Sequence, residues 1–184
     1  MKYLITLPWM PYPATDGGKQ GSFNMLMELQ NMIDITLIYP VFFKKQMACQ
    51  YLLEKQLPKV KVYPFEYYKN KDGIKSQYSL FRLHRIITRK FLKQPYLATP
   101  IYKDAYIDFV NEIIKKERID IVQNEYFEQL YMVYAIPNTV KKVFIQHEIQ
   151  YIAKERLIQQ REYPSSVRYL ATMQRIQEIN ALNE

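Results

Sequence analysis

Five short apolar runs, each followed by a loop and then by residues at helical spacing, recur along this chain and leave it few folds to choose from. The runs fall at 2–7, 34–39, 60–65, 119–124 and 140–146, the second closed by Pro40 and the third preceded by Pro58. Between them, 19–31 places Phe23, Leu26, Met27 and Gln30 on one face, 43–56 has helical character, and 76–93 carries apolar residues at roughly helical intervals. Ala105, Phe109 and Ile113 with Tyr106, Val110 and Ile114 make the apolar stripe of a helix over 102–116. A shorter helix is expected at 127–135, and from Glu148 the chain reads as helix, broken at Tyr163–Ser166. Strands that alternate with helices build a mainly parallel sheet wrapped on both faces. Right-handed crossovers then favour the order 3-2-1-4-5, with the winding reversing between the first and fourth strands. The expected fold is therefore α/β, Rossmann-like and doubly wound.

At 184 residues the chain has room for one such domain and too little for two, so a single domain over 1–184 is expected. Cys49 is the only cysteine, which excludes an intramolecular disulfide, and with two histidines a structural metal site is not expected. The apolar run after Met1 is stopped by Pro8, too early for a signal peptide, and no stretch reaches the ~18 apolar residues of a membrane span. These features point to the cytoplasm.

In a doubly wound sheet, ligands settle beyond the carboxyl ends of the strands at the point where the winding reverses. Three segments should meet there: the loop Trp9–Lys19 after the first strand, Asn124-Glu125-Tyr126 after the fourth, and Gln146-His147-Glu148 after the fifth. Gly17-Gly18 can let a ligand approach the backbone, with the free N–H groups of the next helix aimed at an anion. The pair serves equally as a tight turn before a helix, and Asp16-Gly17-Gly18-Lys19-Gln20-Gly21 matches neither the dinucleotide fingerprint nor a Walker loop. His147 can bond a substrate hydroxyl or act as a general base, or it can be a strand-end histidine bonded to backbone. Glu125 and Glu148 can orient sugar hydroxyls or the histidine; the plainer alternative is solvated or capping glutamates. His84 lies among arginines and belongs to the surface. There is no serine elbow, no paired acids and no metal cluster, which leaves group transfer or binding.

Taken in order, several phrases resemble a known family. Pro11-Tyr12-Pro13-Ala14-Thr15-Asp16-Gly17-Gly18-Lys19 after a short apolar strand resembles the opening of GT-B glycosyltransferases, family 4 especially. Ile119-Asp120-Ile121-Val122-Gln123-Asn124-Glu125 is similar to that family's fourth-strand phrase. Lys142–Ile149, with His147 and Glu148, is similar to its sequence of strand, histidine, acid and apolar residue. Met173–Glu184, with Glu178, resembles the helix before the interdomain linker. The resemblance implies one half of a two-domain enzyme whose active site lies in the cleft between Rossmann-like halves. The amino-terminal half holds a glycan or lipid-linked acceptor, and a nucleotide-sugar donor such as a UDP- or GDP-sugar binds mainly to the other half. It implies Gly17 and Gly18 facing donor phosphates and acceptor; Lys19, Asn124, Glu125 and Glu148, in the converging segments, are the further candidates for substrate binding. It places His147 near the transferred sugar, and implies retention of configuration without a protein-bound metal or other cofactor. The donor half, with its paired glutamates, has no counterpart here, and the chain stops inside a helix. This piece alone is therefore expected to be inactive, for half of the transition-state contacts are missing.

The charge of +8 is concentrated: residues 69–93 carry eight basic side chains and one acid, a local +7. Arg82, Arg85, Arg89 and Lys93 recur along one helix face, opposite Leu83, Ile86 and Ile87. A basic amphipathic helix can lie on an anionic bilayer, giving a peripheral contact at the inner face of the membrane. It can equally pack on the sheet with its basic face in water. Nucleic acid is disfavoured, because the aromatic residues there follow no recognised motif. A second class of function stays open beside the enzyme: a non-catalytic α/β binding or regulatory module with an anion site, membrane-associated through that helix.

Overall fold

The computed structural model describes residues 1–70, 103–130 and 132–147, together with single helical positions at 152, 156, 172, 175, 176 and 179. The expected helix over 76–93, with Arg82, Arg85, Arg89 and Lys93, lies outside the described residues, as do Glu148 and the break at 163–166.

Five strands, β1 (Lys2–Thr6), β2 (Asp34–Val41), β3 (Lys61–Glu66), β4 (Ile121–Glu125) and β5 (Lys141–Ile145), form one all-parallel sheet in the order β3-β2-β1-β4-β5. The expected order and the Rossmann-like α/β class are both observed. Successive side chains of a strand point to opposite faces, and the two faces carry separate cores. Ile5, Leu7, Ile35, Leu37 and Tyr39 pack against Leu26 of α1 (Gly17–Leu29) and Leu53 of α2 (Met47–Gln56). Leu4, Ile38, Phe65 and Val122 pack against Tyr106, Val110, Ile113 and Ile114 of α3 (Lys103–Glu117) and Met132 of α4 (Met132–Ala135).

Several boundaries differ from expectation for identifiable reasons. Pro40 does not end β2, which runs on to Val41. The ladder with β1 stops at Thr6 and Ile38, so the missing N–H of Pro40 falls beyond the last β1 partner. Pro64 is accommodated in β3, the edge of the sheet. Ala105 is exposed and the buried stripe of α3 is Tyr106, Val110, Ile113 and Ile114. The helix expected at 127–135 is two short pieces, a 3-10 turn at Phe127–Gln129 and α4, with Pro137 ending the segment. Gly17 and Gly18, expected in the loop, are the first two residues of α1, capped by the Asp16 side chain.

Candidate functional site at the carboxyl rim of the sheet

The point where the winding reverses lies between β1 and β4, and the sequence there alternates polar groups onto both faces. Thr6 and Asn124 are register partners on the α3 face, and the Thr6 hydroxyl donates to Asn124 Oδ1 at 2.7 Å. Both are buried, so Asn124 is occupied inside the fold and does not join the other candidates. Glu125, one residue on, turns to the α1 face and is fully buried.

A buried carboxylate is costly unless its oxygens receive hydrogen bonds. Glu125 receives two and has a third polar neighbour. Gln123 Nε2 donates to Oε1 at 2.6 Å, Ser22 Oγ of α1 donates to Oε2 at 3.3 Å, and His147 Nε2 lies 3.1 Å from Oε2. Gln123 is anchored in turn, its Oε1 accepting the Tyr3 hydroxyl at 2.8 Å. Burial, and then the Glu125 charge, push the Tyr3 hydroxyl above its ordinary pKa. A continuous polar line therefore runs up this face of the sheet from Tyr3 to His147, two residues past β5.

His147 is 39% exposed at its side chain, and its ring stacks on Tyr126 with centroids 4.1 Å apart and planes inclined by 18°. Trp9 also packs against the phenol, at 4.5 Å between centroids and with the planes inclined by 51°. Tyr126 has a φ of 67°, in the left-handed region that L side chains avoid. Its hydroxyl donates to the Gly18 carbonyl at 2.9 Å and lies 3.2 Å from Ser22 Oγ. Burial raises its pKa above that of a free phenol. One tyrosine thus ties the start of α1 to the imidazole, and the diglycine and His147 share one side of the molecule. Neither was expected to be bridged by a side chain filling the space between them.

The two glycines are not equivalent. A Cβ on Gly18 would sit 3.2 Å from the Tyr126 hydroxyl, whereas one on Gly17 would meet nothing within 4 Å. Neither Gly17 nor Gly18 has a positive φ, so the expected bend is absent and close approach alone explains Gly18. Asp16 Oδ1 accepts the Lys19 N–H at 3.0 Å, and its other oxygen pairs with Lys19 Nζ at 3.1 Å. The Lys19 amide, followed by the Lys19 side chain, holds the Asp16 carboxyl below the usual range. Lys19 also donates to Thr15 Oγ1 at 3.2 Å, so its ammonium is folded back onto the loop and not aimed at the histidine.

Gly18, Glu125 and His147 are therefore brought together, whereas Asn124 and Lys19 are engaged elsewhere. Trp9 and Tyr126, which lie in the converging segments but were given no role there, join them, as do Ser22 and Gln123, which were not expected at the rim. Ser22 carried a signal: with Leu26 and Gln30 it forms the buried i, i+4 stripe of α1, which an apolar criterion passes over because two of the three are polar. Among the described residues, no group of three His, Cys, Asp or Glu side chains could hold a metal ion, and no helix is long and apolar enough to cross a membrane. No family model, curated protein or solved structure matches the chain.

Proposed function

We propose that this chain is the acceptor-side, amino-terminal half of a GT-B glycosyltransferase that moves a sugar from a UDP- or GDP-linked donor to a glycan or lipid-linked acceptor at the cytoplasmic side of the cell. The observation that carries the reading is the half-exposed His147 imidazole, backed by a buried carboxylate at the carboxyl rim and joined through Tyr126 to the start of α1. An imidazole held this way offers one nitrogen to a sugar hydroxyl. The helix terminus beside it has N–H groups without intrahelical partners, the usual attraction for a diphosphate. Asp16 already occupies the Lys19 amide and brings a negative charge, so this terminus makes a minor contribution to phosphate binding. The donor is then held chiefly by the second domain of the enzyme, as in the family whose phrases this chain resembles. The same charge weakens the alternative of a stand-alone anion-binding module, because its site would have to form against a carboxylate.

The test is transfer by the intact gene product, supplied with radiolabelled UDP-glucose, UDP-galactose or GDP-mannose and a lipid extract of the producing cell. Label should pass from one of these donors to the extract, and His147→Ala should lower turnover by more than about tenfold while leaving the fold unchanged. No transfer from any donor, or unaltered kinetics in the variant, would remove the reading.

A further inference from the structure

We infer that Glu125 is a positioning residue for His147, fixing the imidazole with its proton on Nε2 so that Nδ1 is presented outward as the acceptor of a substrate hydroxyl. Gln123 Nε2 and Ser22 Oγ both donate to the Glu125 oxygens, which therefore serve as acceptors, and Oε2 lies 3.1 Å from His147 Nε2, so that nitrogen carries the proton. The two ring nitrogens point in well-separated directions, so Nδ1 is directed away from the buried carboxylate, on a side chain that keeps 39% of its surface in solvent. The stack on Tyr126 fixes the plane of the ring, leaving it little freedom to turn over.

What distinguishes this arrangement from a fortuitous ion pair is the support behind the carboxylate. Oε1 is held by Gln123 at 2.6 Å, Gln123 is held by Tyr3 at 2.8 Å, and Ser22 reaches Oε2 from α1 at 3.3 Å. Three elements, β1, β4 and α1, thus converge on one buried group whose exposed partner is the imidazole. A carboxylate that served only the fold could be replaced by an apolar side chain with little loss, since burying it is expensive. With Nε2 committed to Glu125, the Nε2–H tautomer is left with Nδ1 as its one acceptor nitrogen. It therefore accepts a hydrogen bond from a hydroxyl and donates none toward the ligand, which selects an O–H group and not a carbonyl. That ligand class rests on the glycosyl-transfer reading; the orientation of the ring does not.

The experiment uses the 184-residue chain labelled with nitrogen-15 at histidine, of which there are only two, His84 and His147. His84→Gln leaves the His147 signals alone in the spectrum. The expected result is a neutral His147 protonated at Nε2, with an N–H proton protected from exchange and carbon-bound ring protons displaced by the Tyr126 stack. In Glu125→Gln a carboxamide replaces the stronger charged acceptor, and the proton should exchange roughly tenfold faster. In Glu125→Ala the protected proton should vanish while the ring-current displacement persists. If Glu125→Ala does not fold, the wild-type and Glu125→Gln spectra decide alone. A wild-type His147 protonated at Nδ1, or an Nε2 proton exchanging equally fast in Glu125→Gln, overturns the assignment. With the ring orientation confirmed and no sugar transferred by the intact gene product, the positioning role stands and the glycosyl-transfer reading falls.

Discussion

Tyr126 spends conformational energy to sit where it does: a φ of 67° on a residue with a Cβ costs of order 1–3 kcal/mol. It is offset by ring contacts with Trp9 and His147, at 4.5 Å and 4.1 Å, and by the hydroxyl bond to Gly18. Because the phenol is clamped by its ring contacts with Trp9 and His147 and by its hydroxyl bond, it has little room to yield to a side chain at Gly18. Gly18→Ala should therefore lose stability, whereas Gly17→Ala, facing open space at the start of a helix, should gain about 0.5–1 kcal/mol from a less flexible unfolded chain. Urea denaturation of the two variants should separate them by at least about 1 kcal/mol, and equal stabilities would contradict the clamp. At this scale the sequence made part of the site legible. Glu125 and His147 could be placed at the rim because each ends or follows an apolar run, and rim position depends only on strand length. Ser22 and Gln123 could not, and Tyr126 was placed there without its bridging role, since their importance lies in hydrogen bonds to residues about a hundred positions away or two residues along one strand. Asn124 shows the limit of the rule: next to Glu125 in the chain, it faces the opposite side of the sheet.

Helix ends set the site's frame. The Asp16 carboxyl lies below its ordinary pKa in the folded protein, so its cap contributes above the unfolded value of about 3.9 and is lost as the pH falls through the lower folded value. Amide exchange should therefore show the first turn of α1, from Gly17 to Gln20, opening on acidification in that window, with Asp16→Asn showing no such transition. A first turn that stays closed through the same range would mean that the cap is not what orders it. The other end of interest is that of α3, where Arg118 takes a φ of 55° and the Ile119 N–H bonds to the Ile114 carbonyl at 3.0 Å. Glycine normally fills this position. Arg118→Gly should stabilise the domain by up to about 1 kcal/mol, measurable as a raised Tm; a lowered Tm would show that the arginine side chain does more than accept strain. Helix cores were readable from their apolar stripes, but their ends were not. The diglycine was expected in a loop because Gly usually breaks helices, whereas here Asp16 caps the turn that contains both.

Across the whole molecule, the order β3-β2-β1-β4-β5 followed from alternation of strand and helix, since crossover handedness and burial on two faces leave little else. That order brings the ends of β1, β4 and β5 together, and so determines which distant residues share a rim. The alternation carries no information about whether the rim is open or filled, and the Trp9–Tyr126–His147 stack fills part of it. On the glycosyl-transfer reading, a substrate lies over the imidazole edge and the first turn of α1 together. This is open to direct measurement by nuclear magnetic resonance on the intact gene product titrated with UDP-glucose and GDP-mannose. The account predicts that the His147 ring and the Gly17 and Gly18 amides shift along a single saturation curve while His84 stays still. Shifts confined to one of the two places, or no shift with either compound at millimolar concentration, would contradict it.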